Sequence, residues 1–304
     1  MRTFSRRTAL AITAAASLSA AAAKPANTYP FEYWDVFTDR PFTGNPLAVF
    51  TSAEDLSPDQ MRAIAAETNL SETTFLFRRP AAEEKVKGVR TRIFTPTTEY
   101  DFAGHPALGT AFALWRPGTT RITLDLNVGP VPIDLKFEGG KLYGTMTQPK
   151  PVFAETHDPE KIAKLIGLPI SDLDTSHPIQ SVSTGRPNLI VMLKSLKAIH
   201  ALKIDWNAAK DLAFYFLTPE AETGATYHAR KLTPRTEDPV TGSAAGSAIA
   251  WLVAQKLVEP NKTITIEQGR EVNRPGKLYV SADGKGEVKV GGFGVKTWTG
   301  QLPR

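Results

Sequence analysis

Two short stretches in the first half of the chain carry side chains able to move protons. Glu72 ends Asn69-Leu70-Ser71-Glu72 at the mouth of an apolar strand, and His105 lies in Phe102-Ala103-Gly104-His105-Pro106 at the start of an apolar helix. Farther on, the run from Glu237 to Gly246 (EDPVTGSAAG) brings Asp238, Thr241 and Ser243 to a second helix start whose first turn is almost bare. Carboxylates and imidazoles are common general acids and bases, and burial lifts a glutamate from about 4.3 toward neutrality. Helix N-termini leave backbone N–H groups unpartnered and carry partial positive charge, so a carboxylate or phosphate is stabilised there. Only small residues let backbone approach such a ligand closely, and Gly104 and Gly242 meet that condition. Small residues also permit tight helix packing. Taken singly, each side chain has a structural use as well: His105 and Ser243 as helix caps, Asp238 as a turn residue before Pro239, Glu72 as a solvated strand end.

Other chemistries fit the sequence less well. Ser243, His105 and Asp238 suggest a hydrolytic triad, yet the Gly-x-Ser-x-Gly elbow is absent, since Gly242 directly precedes Ser243 and the next glycine is Gly246. His105, His157, His177, His200 and His228 stand without HExxH or any paired spacing, so no metal is expected. Neither a Walker nor a dinucleotide-binding glycine pattern occurs, and no cofactor is expected. The chain has no cysteine, which removes disulfides, thiolate nucleophiles and cysteine–metal sites together.

The elements that must position these groups are announced by a repeat. RIFTPTTEYDFAGHPALG from Arg92 and RKLTPRTEDPVTGSAAGS from Arg230 align without a gap at an offset of 138. Arg92/Arg230, Thr95/Thr233, Pro96/Pro234, Thr98/Thr236, Glu99/Glu237 and Gly104/Gly242 are identical, and His105 lies opposite Ser243. Gly44-Asn45-Pro46 echoes Gly185-Arg186-Pro187, and ETTFLF from Glu72 echoes DLAFYF from Asp211. A duplicated domain of roughly 140 residues follows. Short β-branched or aromatic runs bounded by Gly, Pro, Asn or Asp read as strands, among them NPLAVF, TTFLFR, GVRTRIF, NLIVML and TITIEQ. LSPDQMRAIAAETN reads as a helix capped by Ser57 with Pro58 at its first position and Met61, Ile64 and Ala65 on one face, and DPEKIAKLIG as another. HPALGTAFALW, with His105 as cap and Pro106 first, and SAAGSAIAWLVAQ are apolar nearly all round, as buried helices are. The expectation is an α+β fold of two pseudo-symmetric barrel-like halves, each wrapping strands around a central helix. Residues 28–150 make the first half, completed by the C-terminal strand at 288–304, and residues 151–287 make the second.

GNPLAVF, ETNLSETTFLF, RIFTPTTEYDFAGHPALGTA, VSTGRPNLIVML, EDPVTGSAAGSAIAWL and QGREVNRPGKLYV, in that order, resemble the phenazine-biosynthesis PhzF-like family from about Tyr33 onward. The resemblance implies a diaminopimelate-epimerase-like fold and cofactor-independent isomerisation by proton transfer. It places the acid–base carboxylate on Glu72 and further catalytic positions on His105, Asp238 and Ser243. Gly104, Thr241, Gly242 and Asn45 become candidates for holding the substrate. Related cysteine-dependent epimerases carry a thiol just before the glycine of each central-helix motif, where this chain has Ala103 and Thr241; two-thiol racemisation is chemically excluded, and a carboxylate must do the work. The expected partner is a small carboxylate, and the resemblance also suggests a homodimer. An exported binding protein that kept the site without turnover is the alternative.

The first residues, MRTFSRRTALAITAAASLSAAAAKP, have a basic start, an alanine-rich apolar middle and small residues before Lys24. Arg6-Arg7 within SRRTAL resembles a twin-arginine export signal, so residues 1–23 are expected to direct the protein to the periplasm and be removed. The apolar run from Ala9 to Ala23 is shorter than the roughly 20 residues a membrane span needs, and no membrane association is expected afterwards. Losing three arginines lowers the formal charge from +5 to +2. With no basic stripe and no aromatic platform, nucleic acid is not an expected partner.

Overall fold

The computed structural model describes residues 28–209 and 212–304; the expected export signal at 1–23 lies outside the described residues. The first half contains β1 (Thr28–Val36), β2 (Asn45–Phe50), α1 (Pro58–Thr68), β3 (Thr73–Phe77), α2 (Ala81–Lys87) and β4 (Val89–Phe94). It continues through β5 (Glu99–Tyr100), α3 (Gly104–Leu114), β6 (Arg121–Leu126), β7 (Gly129–Glu138) and β8 (Lys141–Gln148). The second half runs from β9 (Val152–His157) and α4 (Pro159–Leu165) through β10 (Ile179–Ser183), β11 (Pro187–Met192), α5 (Leu196–His200) and β12 (Phe214–Thr218). After these come β13 (Tyr227–Leu232), β14 (Glu237–Asp238), α6 (Gly242–Ala254), β15 (Ile264–Gln268), β16 (Gly276–Ala282) and β17 (Val288–Pro303).

Strand pairing repeats between the halves. In the first, β1–β2 and β3–β4 are antiparallel while β2–β3 and β4–β6 are parallel; β6, β7 and β8 follow antiparallel. β17 then pairs with both β8 and β1, closing an eight-stranded barrel. In the second, β10–β11 and β12–β13 are antiparallel, β11–β12 and β13–β15 parallel, and β15, β16 and β17 antiparallel. Parallel neighbours require a long crossover. The crossovers between β4 and β6 and between β13 and β15 are α3 and α6, which lie inside their sheets. Every residue of α3 except Leu114 and every residue of α6 except Ala254 is buried, so an apolar circumference is what the two positions demand. β17 also shows why neither half closes by itself, since one strand of sixteen residues serves β16, β8 and β1.

Local rules account for the helix starts, with two corrections. Ser57 caps α1 through a reciprocal pair with Gln60, and Pro58 takes the first helical position; Met61 and Ala65 are buried, whereas Ile64 is only partly so. Asp158 caps α4. His105 and Ser243, however, are not caps. The extended N-cap residues are Ala103 and Thr241, helical geometry begins at Gly104 and Gly242, and His105 and Ser243 occupy the second helical position. Pro106 misleads because proline is tolerated throughout the first helical turn, where its missing N–H has no intrahelical partner to lose.

The identities shared by the two sequence repeats build one turn twice. Arg92 grips Glu99 with Nε and Nη2 at 2.8 and 2.6 Å, and Arg230 grips Glu237 the same way at 2.9 and 2.7 Å. Thr95 Oγ1 accepts from the Thr98 amide, and Thr233 Oγ1 from the Thr236 amide. These clasps fix the approach of β5 and β14 to the two central helices.

Candidate functional site

The N-termini of α3 and α6 meet. A Cβ placed on Gly104 would lie 2.7 Å from the Ser243 amide nitrogen and 2.9 Å from the Gly242 backbone, so only glycine lets the two ends touch. Neither helix has a side-chain cap among the described residues. Their first-turn N–H groups therefore converge with two partial positive charges at one spot, an arrangement suited to an anion.

Glu72 and His105 flank that spot. Asn69, in the left-handed conformation, ends α1 and turns the chain so that Leu70-Ser71-Glu72 leads straight into β3. Glu72 Oε2 lies 3.6 Å from His105 Nε2, and the two side chains are only 14% and 4% exposed. Burial, reinforced by the charge of Asp238 and opposed by Arg186, pushes Glu72 up to about 8. Burial pushes His105 down to about 3, partly offset by its hydrogen bond to the Pro46 backbone. Pro46 can only accept, so one ring nitrogen of His105 carries the proton. Nε2 is left buried with no hydrogen-bond partner among the described residues. At neutral pH the pair is then a carboxylic acid beside a neutral imidazole rather than an ion pair.

Asp238 arrives from the second half. Its Oδ1 accepts from Asn45 Nδ2 at 2.8 Å and Ser71 Oγ at 3.3 Å, and Thr241 donates to its Oδ2. Burial raises its carboxyl above the usual range, while the hydrogen bonds from Thr241 and Asn45 pull it back down. Asn45 also donates to the Val240 carbonyl at 2.7 Å, which joins the β1–β2 turn to the entrance of α6. The Thr241 amide donates to Gln268 Oε1, and the buried Ser243 carbonyl accepts from Thr184 and Ser247. Two buried carboxylates, a buried imidazole and two helix ends can bind a small anion and carry a proton between carbons of it.

A family model described as phenazine biosynthesis-like protein (PhzC-PhzF) matches residues 34–300. The chain belongs to this family. It is 36% identical over 269 residues to the trans-2,3-dihydro-3-hydroxyanthranilate isomerase of Pseudomonas aeruginosa, covering 86% of this chain and 94% of that one. Among solved structures it resembles a predicted epimerase from the same species, with a TM-score of 0.80, 32% identity and coverage of 91% and 99%. A hydroxyproline epimerase from Agrobacterium vitis shares the fold at a TM-score of 0.62 and 10% identity, with 91% of each chain covered. The PhzF-like isomerase assignment and the epimerase-type fold therefore both stand.

In this PhzF-like chain the sequence-derived residues come together as one group. Glu72, His105, Gly104 and Asn45 approach from the first half and Asp238, Thr241, Gly242 and Ser243 from the second. Two further residues bear on this group that the sequence alone does not single out. Arg186 stacks on Tyr100 at 3.7 Å from the ring centroid, linking the β10–β11 turn to β5 of the other half, and its charge acts on Glu72. The repeat held a clue, since Arg186 stands opposite Asn45 in the Gly-x-Pro echo. Lys231, buried on β13, donates to Asn188 Oδ1 at 2.7 Å and to the Ala213 carbonyl at 3.1 Å, and burial pushes it down to about 7. Its counterpart in the first repeat is Ile93, so no symmetry argument could reach it.

Proposed function

We propose that this PhzF-like isomerase moves a proton between two carbons of a small, unsaturated carboxylate without any cofactor, using Glu72 as the group that takes and returns it. The observation that carries the reading is the buried Glu72 carboxyl 3.6 Å from the partnerless Nε2 of His105, beside two abutting, uncapped helix ends. Ionised Glu72 takes a proton from carbon next to a double bond; the charge spreads through the conjugated system toward the substrate carboxylate. That carboxylate lies against the amides of Gly104, Gly242 and Ser243, where developing negative charge is stabilised. Protonated Glu72 then delivers the proton to another carbon, so the product is an isomer and nothing else is consumed. Asp238, held by Asn45 and Thr241, and His105 orient the polar substituents and pass protons. The site lies in a cleft between the halves, and the burial of its groups means substrate enters when the halves part.

The molecule named for the 36%-identical relative, trans-2,3-dihydro-3-hydroxyanthranilate, is one substrate to try; its carboxylate, ring unsaturation and carbon-bound hydrogens have the required chemistry. In D2O the purified protein should build deuterium into such a substrate, and Glu72→Gln should slow this by about 10²- to 10⁴-fold, the usual worth of a general base. Undiminished exchange in that variant removes Glu72 from the reaction. Tight binding with no exchange in the unmodified protein identifies a binding protein instead. We further propose that residues 1–23 export the chain, which replacement of Arg6 and Arg7 by lysine should block.

A further inference from the structure

We propose that His200, His228 and Glu271 form a binding site for a divalent transition metal, zinc being the best fit, on the outer face of the second half. Along β13, Tyr227 and Ala229 join the core around α6, so His228 and Arg230 face outward, beneath the end of α5 where His200 lies. Glu271 follows β15. His228 Nε2 is 2.8 Å and His200 Nε2 3.3 Å from Glu271 Oε1, and one donor atom from each residue lies within 4.8 Å of the others. A tetrahedral ion with bonds of about 2.0–2.1 Å needs donor separations of roughly 3.4 Å, within reach of small side-chain shifts.

Three further observations point to an ion rather than a plain ion-pair network. First, the other nitrogen of the fully buried His228 is engaged: Nδ1 lies 3.0 Å from Glu267 Oε1, and Glu267 is itself held by the amides of Glu222 and Thr223. A carboxylate behind the distal nitrogen is the arrangement that orients a metal-bound imidazole. Second, Glu271 Oε2 is buried with no hydrogen-bond partner among the described residues, a costly state for a carboxylate oxygen unless something binds it. Third, the charges do not balance. Glu222, Glu237, Glu267 and Glu271 face Arg230 and Arg270, and each arginine is committed elsewhere: Arg230 to Glu237 and the Ile199 carbonyl, with Glu271 at 3.7 Å, and Arg270 to Glu222. The four carboxylates outnumber the two guanidinium groups, an excess of negative charge that a divalent cation would meet. Two imidazoles and a carboxylate favour zinc and its neighbours over calcium or magnesium. His200, 44% exposed, gives the ion a way in and leaves room for water as a fourth ligand. The site lies on the face of β13 opposite Lys231, so its role is to clip α5, β13 and the segment after β15 together.

Untagged, chelator-treated protein titrated with Co2+ should develop the visible absorption of a four-coordinate cobalt centre at one equivalent, bleached by Zn2+. Glu267→Gln should weaken binding by about 10- to 100-fold, and His200→Ala should abolish the visible band while retaining the proton-exchange activity proposed above. Zn2+ should raise Tm in the unmodified protein and leave that of His200→Ala unchanged. Absence of the band in excess Co2+, or an unchanged band in His200→Ala, overturns the proposal.

Discussion

Glu72 is a glutamate whose surroundings make it behave unlike one. An exposed glutamate is fully ionised at neutral pH, but burial next to Asp238 keeps Glu72 largely protonated until about pH 8. The proposed base acts in its carboxylate form, so the deuterium-exchange rate should rise with pH and level off above roughly 8. A plateau already reached near pH 5 would assign the base to another group. Arg186 favours the ionised form, so Arg186→Leu should move that inflection to higher pH, a shift that loss of its stacking on Tyr100 alone would not produce. The sequence made Glu72, His105, Asp238 and Ser243 visible through the motifs around them. It hid Arg186, in the turn between β10 and β11, and Lys231, beside Arg230 on β13, which acquire their charge environment only when these segments come together.

At the scale of the elements, residues shared by the two repeats build the frame, while most of those proposed to act on the substrate differ between them. Arg92–Glu99 and Arg230–Glu237 are the same clasp made twice, while His105, Asp238 and Lys231 stand opposite Ser243, Tyr100 and Ile93. The bare first turn of α6 has two explanations that the sequence could not separate. Gly242 abuts the other helix end, but Gly246 makes room for Gln148, whose Nε2 donates to the Gly242 carbonyl at 3.0 Å and whose Oε1 accepts from Thr184 at 2.6 Å. A Cβ at Gly246 would fall 1.8 Å from that Oε1. Gly246→Ala should therefore expel the Gln148 side chain and destabilise the protein by about 1–3 kcal/mol, read as a shift in the urea midpoint. A shift below about 0.5 kcal/mol would mean that Gln148 relocates freely. The identities of α1, α3, α4 and α6 followed from period and capping, whereas the short helices α2 and α5 did not. The exact starts of α3 and α6 did not follow either, because His105 before Pro106 and Ser243 look like caps locally, whereas the extended residues are Ala103 and Thr241, one place before the glycines.

The whole molecule depends on strands that cross between its halves. β17 pairs with β1 and β8 of the first half and with β16 of the second, and β8 leads through residues 149–151 into β9, which pairs with β10. Removing residues 288–304 would expose the edges of β1, β8 and β16 and open the first barrel, so the truncated chain should aggregate or lose its cooperative thermal transition. A soluble, cooperatively unfolding fragment would show that the halves fold independently. The same crossing holds the site together, since Asn45–Asp238 and Arg186–Tyr100 are contacts between halves.

By itself the sequence determined the duplication, the α+β class, the absence of thiol chemistry and the residues around which a proton could move. These properties live in local pattern: spacing, apolar period and residue type. Only the tertiary structure decided that the two helix ends touch and that His105 Nε2 is left without a partner beside a glutamate held protonated. It alone brought His200, His228 and Glu271, which share no spacing, to one point. Desolvation and charge coupling depend on distances between segments far apart in the chain, and these are set when the two barrels close around their helices.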